Sequence, residues 1–147
     1  MQTTLIDGTK YDLRHALPAQ NGEPRKHDAW AVGDAEHQGD IIVVNIGSLP
    51  NGAKKAKSAQ VVDGDTQGSR HVVTGGEVYD VTPEAANAVL KKIGRPEVGS
   101  VYVNRAFTGP ATLTHPEHRH HEFPESVNLC ISQRSQDAEE REARVRD

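Results

Sequence analysis

A chain of 147 residues, 35% of them hydrophobic, with one tryptophan, two phenylalanines and three tyrosines, has material for one domain with a small aliphatic core. Its formal charge of −4 and pI near 6.0 exclude a general nucleic-acid binder, because attraction to the phosphate backbone needs a basic surface. No segment approaches the roughly 20 apolar residues of a membrane span, and Met1 to Asp7 has neither the basic start nor the apolar run of a secretion signal, so the chain is expected to be cytoplasmic, or assembled into a particle made there.

Residues 1–38 are polar and broken by Pro18, Gly22, Pro24 and Gly33, which predicts an N-terminal arm. Gly39-Asp40 then leads into Ile41-Ile42-Val43-Val44-Asn45-Ile46. This β-branched run is too short for a typical helix and stops at Gly47-Ser48-Leu49-Pro50, so it predicts the first strand. The loop from Pro50 to Gly68 carries Lys54, Lys55, Lys57 and the turn Asp63-Gly64-Asp65, and is expected to be exposed and mobile. Residues 71–74 and 77–81 read as two short strands, and Gly75-Gly76 between them suits a two-residue hairpin turn.

The clearest helix is predicted over residues 82–93. Thr82 can cap it, Pro83 suits its first turn, Glu84 and Lys91-Lys92 complement the dipole at the two ends, and Gly94 offers a left-handed stop. Ala86, Val89, Leu90 and Ile93 fall at i, i+3, i+4 and i+7, a narrow apolar face for packing on a sheet. Strands are expected again at 100–103, continuing toward Phe107, at 111–114 and at 127–134. Cys130 is the one cysteine, which rules out an intramolecular disulfide; within apolar residues 127–131 it reads as a buried, inert thiol. Residues 136–147 carry opposite charges at helical spacing. The pattern predicts an α+β fold, mainly antiparallel β, a small barrel or sandwich with one packed helix. Its parts are a polar arm at 1–38, a β-rich globular domain at 39–135 and a charged tail or short helix at 136–147.

Four of the eight histidines fall within residues 115–121, in His115-Pro116-Glu117-His118-Arg119-His120-His121. Imidazole ligates metals and titrates near neutrality, so metal binding and proton transfer are the chemistries to weigh. The candidate metal ligands are His71, His115, His118 and His120. With His71, His115 and His118 on a zinc, iron or manganese ion at an open site, and Glu117 as general base, the cluster would serve a metal-dependent enzyme. If residues 118–122 are extended, His118 and His120 face one side while Arg119 and His121 face the other. That His-x-His spacing, with Glu125 five residues after His120, resembles the first ligand set of cupin barrels, which implies a divalent metal held by the strand and a carboxylate. Arg70, His71, Arg119 and Arg134 offer a third reading, an anion-binding module. The plainest account is a polar turn whose histidines are solvated or share hydrogen bonds with nearby glutamates. No nucleophile stands out, since Ser69, Ser126 and Ser132 lack elbow glycines.

A wider pattern runs through Gln38-Gly39-Asp40, Gly68-x-x-His71, Leu113-Thr114-His115-Pro116-Glu117-His118 and Gln133-Arg134, with an Arg144-Val145-x-Asp147 ending. This GxxH…THPEH…QR order resembles a group of small β-rich proteins of bacteria and their phages. In that group the first motif reads Gly-His-x-His, and here Ser69 stands at the first histidine. A Leu-Pro-x-Gly-x-Tyr stretch is altered as well, to Phe123-Pro124-Glu125-Ser126-Val127. The missing histidine shifts the expectation from catalysis toward binding. A non-enzymatic structural or interaction protein is therefore expected, acting through protein partners or self-assembly, without a cofactor, as a phage-encoded subunit of a larger assembly such as a virion. The alternative is a metal-dependent enzyme or metal-binding β-barrel using His71, His115 and His118.

Overall fold

A computed structural model describes residues 22–98 and 102–132. Its centre is three strands whose side chains alternate between two apolar faces. In β3 (Ile41–Asn45), Ile41 and Val43 lie on one face and Val44 on the other. In β10 (Val127–Ser132), Cys130 joins the first face while Leu129 and Ile131 join the second. Phe107 and Ala106 divide likewise in β7 (Val103–Thr108). A strand apolar on both faces must be covered on both, and this one requirement sets the layering.

The six-stranded sheet runs β2-β3-β10-β7-β6-β4, completed by β2 (Ala35–Gln38), β6 (Val78–Asp80) and β4 (Lys54–Lys55). A four-stranded sheet covers its first face in the order β1-β9-β8-β5, from β1 (Arg25–Lys26), β9 (His121–Phe123), β8 (Ala111–Thr114) and β5 (Val72–Thr74). Between the sheets, Ile41, Val43, Phe107 and Cys130 pack with Val73, Leu113 and Phe123. The second face is closed by helix α1 (Pro83–Lys92), which seats Ala86 and Leu90 in one cluster with Val44, Leu129 and Ile131. All strand pairs are antiparallel except β1 with β9. The expected α+β, mainly antiparallel fold with one packed helix is thus present, in the form of a sandwich.

Helix α1 forms where its local signals place it. The Thr82 hydroxyl accepts from the Ala85 N–H at 3.2 Å, and Pro83 takes the first turn, where its missing N–H costs nothing. At the other end Gly94 has φ +84°, and the Arg95 N–H reaches back to the Leu90 carbonyl at 2.8 Å, the paired closure of a left-handed stop.

Three expectations change. The first is the hairpin at Gly75-Gly76. β5 pairs with β8 in the smaller sheet and β6 with β7 in the larger, so the chain crosses between sheets at these glycines. A Cβ on Gly76 would sit 1.9 Å from the Thr108 carbonyl oxygen, so the crossing needs a residue without one. The chain also crosses at Gly109-Pro110 and at Pro124-Glu125-Ser126, and the Gly109 N–H donates to the Ser126 carbonyl at 2.9 Å. The three crossovers stack at one end of the sandwich.

The second change is the arm. Residues 25–38, assigned to it by polarity, supply β1 and β2 and bridge the sheets. Arg25 and His27 donate backbone bonds to the His120 and Glu122 carbonyls, and Trp30 Nε1 donates to Asn128 Oδ1 at 2.7 Å. Polarity misled because these strands are held by backbone pairing rather than by apolar side chains of their own. The third change is the 50–68 loop, which is largely exposed as expected but is anchored by β4, by fully buried Val61 and by Arg105. The Arg105 guanidinium donates to the Gln60 carbonyl and pairs with Asp63 at 2.8 Å and Asp80 at 2.7 Å. The expected arm over residues 1–21, the strand start at 100–101, residues 133–134 and the tail at 136–147 lie outside the described residues. Among the described residues, no helix is long and apolar enough to cross a membrane.

Candidate functional site

The end of the sandwich opposite the three crossovers collects the motif residues. β5 begins just after His71, β8 ends just before His115, and Gly39-Asp40 form the tight turn from β2 into β3. Gly39 takes φ +61°, and a Cβ there would stand 2.7 Å from Cδ2 and 2.8 Å from Nε2 of His118, so the imidazole of His118 lies directly against this turn. Segments of the chain separated by more than thirty residues therefore meet in one place.

Gln38 ties them together. It is 2% exposed, and its amide Nε2 donates to the Leu113 carbonyl at 3.0 Å and the Arg119 carbonyl at 2.8 Å. Its Oε1 lies 2.8 Å from Nδ1 of His71, itself 1% exposed. The other ring nitrogen of His71, Nε2, is buried without a hydrogen-bond partner and stands 3.7 Å from Oδ1 of Asp40. The His71 and His115 rings touch with centroids 4.4 Å apart, and His115 and His118 follow at 4.6 Å.

His115 has both nitrogens engaged by the backbone. Nε2 meets the Gly68 carbonyl at 3.0 Å, and Nδ1 accepts from the Glu117 N–H at 3.0 Å, which together select the neutral ring with its proton on Nε2. Burial lowers its pKa, against the opposing pull of the Gly68 carbonyl. His120 is 8% exposed with Nε2 3.2 Å from the His115 carbonyl; burial lowers its pKa too, and that hydrogen bond opposes it. His121 is paired with His27, Nδ1 to Nε2 at 2.9 Å.

Of the ligands expected from sequence, His71, His115 and His118 are brought together. Nδ1 or Nε2 of His115 and His118 and a carboxylate oxygen of Glu117 lie within 4.8 Å of one another, so Glu117 stands beside the two rings. His120 is not part of that group, because its ring turns back onto the His115 carbonyl. The extended arrangement expected over residues 118–122 begins only at His121, so His118 and His120 do not share one face of a strand: His118 is exposed and His120 buried. Glu125, the carboxylate of the cupin-like spacing, sits exposed in the crossover after β9. Of the anion-binding set, Arg119 donates to the Glu23 carbonyl and Arg134 lies outside the described residues. Cys130 is buried in the sheet interface, which pushes its thiol pKa up and keeps it protonated. Ser126 is held by the Pro124 carbonyl, as befits a turn residue.

Two residues of this site, Gln38 and Asp40, carry no role in the sequence reading, although both stand in its first motif. The signal in the sequence is their position on either side of Gly39 at the start of a strand. Their contacts with His71 arise only in the folded chain.

Comparison with curated proteins and with solved structures gives no match. A family model for a domain of unknown function, DUF8820, matches residues 37–127, a span that takes in Gln38, Asp40, His71 and the whole histidine-rich segment. The chain belongs to the DUF8820 family.

Proposed function

We propose that this chain is a non-enzymatic structural or interaction module, and in its finer form a phage-encoded subunit of a larger assembly such as a virion. The observation that carries the reading is how the histidine-rich segment uses its rings. His115 bonds the Gly68 carbonyl and the Glu117 N–H, His120 the His115 carbonyl, and His121 the ring of His27. Rings committed to holding loop and strands together support a scaffold role more than proton transfer, which needs a ring nitrogen presented to a substrate. Sedimentation velocity on the full chain over a range of concentrations tests the reading. Self-association into a discrete assembly, weakened by deletion of residues 1–21, is the expected result; a monomer at every concentration overturns self-assembly.

One observation favours a second reading, a metal-dependent enzyme: the compact His115, Glu117 and His118 group with His71 against it. It expects hydrolysis of a generic ester or phosphodiester only after loading with zinc, iron or manganese, abolished by Glu117→Gln. Turnover that survives that substitution removes Glu117 as the base.

A further inference from the structure

We propose that Asp40, His71 and His118 form a divalent-metal site, with Gln38 as the positioning residue that orients His71. The argument starts from the Gln38 amide. Its nitrogen faces two backbone carbonyls, which only accept, so the amide orientation is fixed and its oxygen must face His71 Nδ1. An amide oxygen also only accepts, so His71 carries its proton on Nδ1. In the neutral ring Nε2 then presents a lone pair, and this atom is buried without a hydrogen-bond partner. A buried imidazole nitrogen left in that condition is costly unless something absent from the protein chain completes it.

What faces that lone pair is a carboxylate oxygen, Asp40 Oδ1, at 3.7 Å. With the ring neutral these two acceptors repel, and a cation between them turns the repulsion into attraction, whereas a protonated ring would itself pair with the carboxylate. Zinc takes nitrogen and carboxylate oxygen donors at about 2.0 to 2.2 Å, so one ion can bridge atoms up to about 4 Å apart. The observed gap falls inside that reach. An imidazole whose far nitrogen is pinned by a fixed acceptor is also the usual outer-shell arrangement of a metal-binding histidine.

His118 would turn in as the third donor, since its ring nitrogens as they stand do not lie within 4.8 Å of both Asp40 and His71. Its Nε2 edge packs on Gly39, the residue before Asp40, and its ring follows those of His71 and His115 in one continuous contact series. His118 is exposed and free to adjust, whereas His115 would have to give up the Gly68 carbonyl or the Glu117 N–H to ligate. Three protein donors leave a position for water. The ion would join the β2–β3 turn of the larger sheet to the start of β5 in the smaller one, so it serves a scaffold as readily as an enzyme and does not depend on either functional reading.

The test uses the full chain, purified without an affinity tag, stripped with a chelator and titrated with zinc, and with cobalt(II) as the spectroscopic probe. One equivalent per chain, a cobalt d–d band and a raised melting temperature are expected. Loss of an outer-shell partner typically weakens metal binding about 10- to 100-fold, so losing a ligand should exceed that range. Asp40→Asn and His118→Ala are each expected to weaken zinc binding by about a hundredfold or more, and Glu117→Gln and His120→Gln to leave it unchanged. Asp40 and His118 both reach solvent, and circular dichroism of the stripped variants checks that they fold. No zinc binding by the native chain overturns the site. Binding that survives Asp40→Asn but is lost with Glu117→Gln overturns it as well, and assigns the ion to His115, Glu117 and His118.

Discussion

Gln38 shows how much one buried polar residue can determine. Three groups depend on it, the carbonyls of Leu113 and Arg119 and Nδ1 of His71, and it is 2% exposed. Leucine is one methylene shorter and can make none of these bonds. Each buried partner left unsatisfied costs about 1 to 3 kcal/mol, so Gln38→Leu is expected to lower stability by about 3 kcal/mol or more in urea unfolding. A loss below about 1 kcal/mol would mean that water reaches all three groups. Gly76 is a steric counterpart. A Cβ placed 1.9 Å from the Thr108 carbonyl oxygen meets backbone, which cannot swing aside, and 2.9 Å away lies the Ala111 Cβ. Gly76→Ala is expected to cost about 1 to 3 kcal/mol in the same assay through forced displacement of the crossover. Unchanged stability would show that the three stacked crossovers yield readily.

Among the elements, α1 is the one whose stability is set locally. Thr82→Ala removes a hydroxyl that accepts from the Ala85 N–H, and is expected to cost about 1 kcal/mol, with Thr82→Ser restoring most of it; a Ser variant no better than Ala would take the cap out of the account. The same locality is why the helix was legible in the sequence, cap, dipole charges and stop included. β3, β8 and β10 were legible for a related reason, since their β-branched and apolar runs announce a strand wherever it pairs. Pairing itself was not. Gly75-Gly76 has the sequence of a hairpin turn, and only the contacts of β5 with β8 and of β6 with β7 reveal a crossing between sheets. β1 and β2 escaped because the backbone, not the side chains, holds them. The site was half visible on the same grounds. His71, His115 and His118 stand out by residue type, but His120 looks the same in sequence and is used as a strut, while Asp40 and Gln38 acquire meaning only where the β2–β3 turn meets His71.

At the scale of the whole molecule, the segment from Arg25 to Gln38 closes the sandwich, and two histidines sit where it does so. His27 stacks on His121 with ring centroids 5.2 Å apart and on Phe123 at 4.8 Å, with Trp30 tilted against it at 4.9 Å. The ring nitrogens of His27 and His121 are 2.9 Å apart, an arrangement that needs one of them to donate and the other to accept. Burial pushes the His121 pKa down to about 4, helped by the charge that His27, Arg25 and Arg119 would place nearby and opposed by Glu36. Burial lowers that of His27 as well, again against Glu36. Both folded values lie below that of an unfolded histidine, about 6.5, so the unfolded chain takes up protons first. The stabilisation is therefore complete above about pH 6.5 and is lost as the pH falls from there toward about 4. His121 alone contributes a slope of up to about 1.4 kcal/mol per pH unit in that window. Urea midpoints measured from about pH 8 to about pH 5 should fall along it, and His121→Phe, which keeps an aromatic ring on the stack, should flatten the fall. Amide exchange should quicken first at Arg25 and His27, whose N–H groups bond the His120 and Glu122 carbonyls on either side of His121. An acid slope that persists in His121→Phe, with no early exchange at those two amides, would place the titrating groups elsewhere and leave the closure of the sandwich to Trp30 and Asn128.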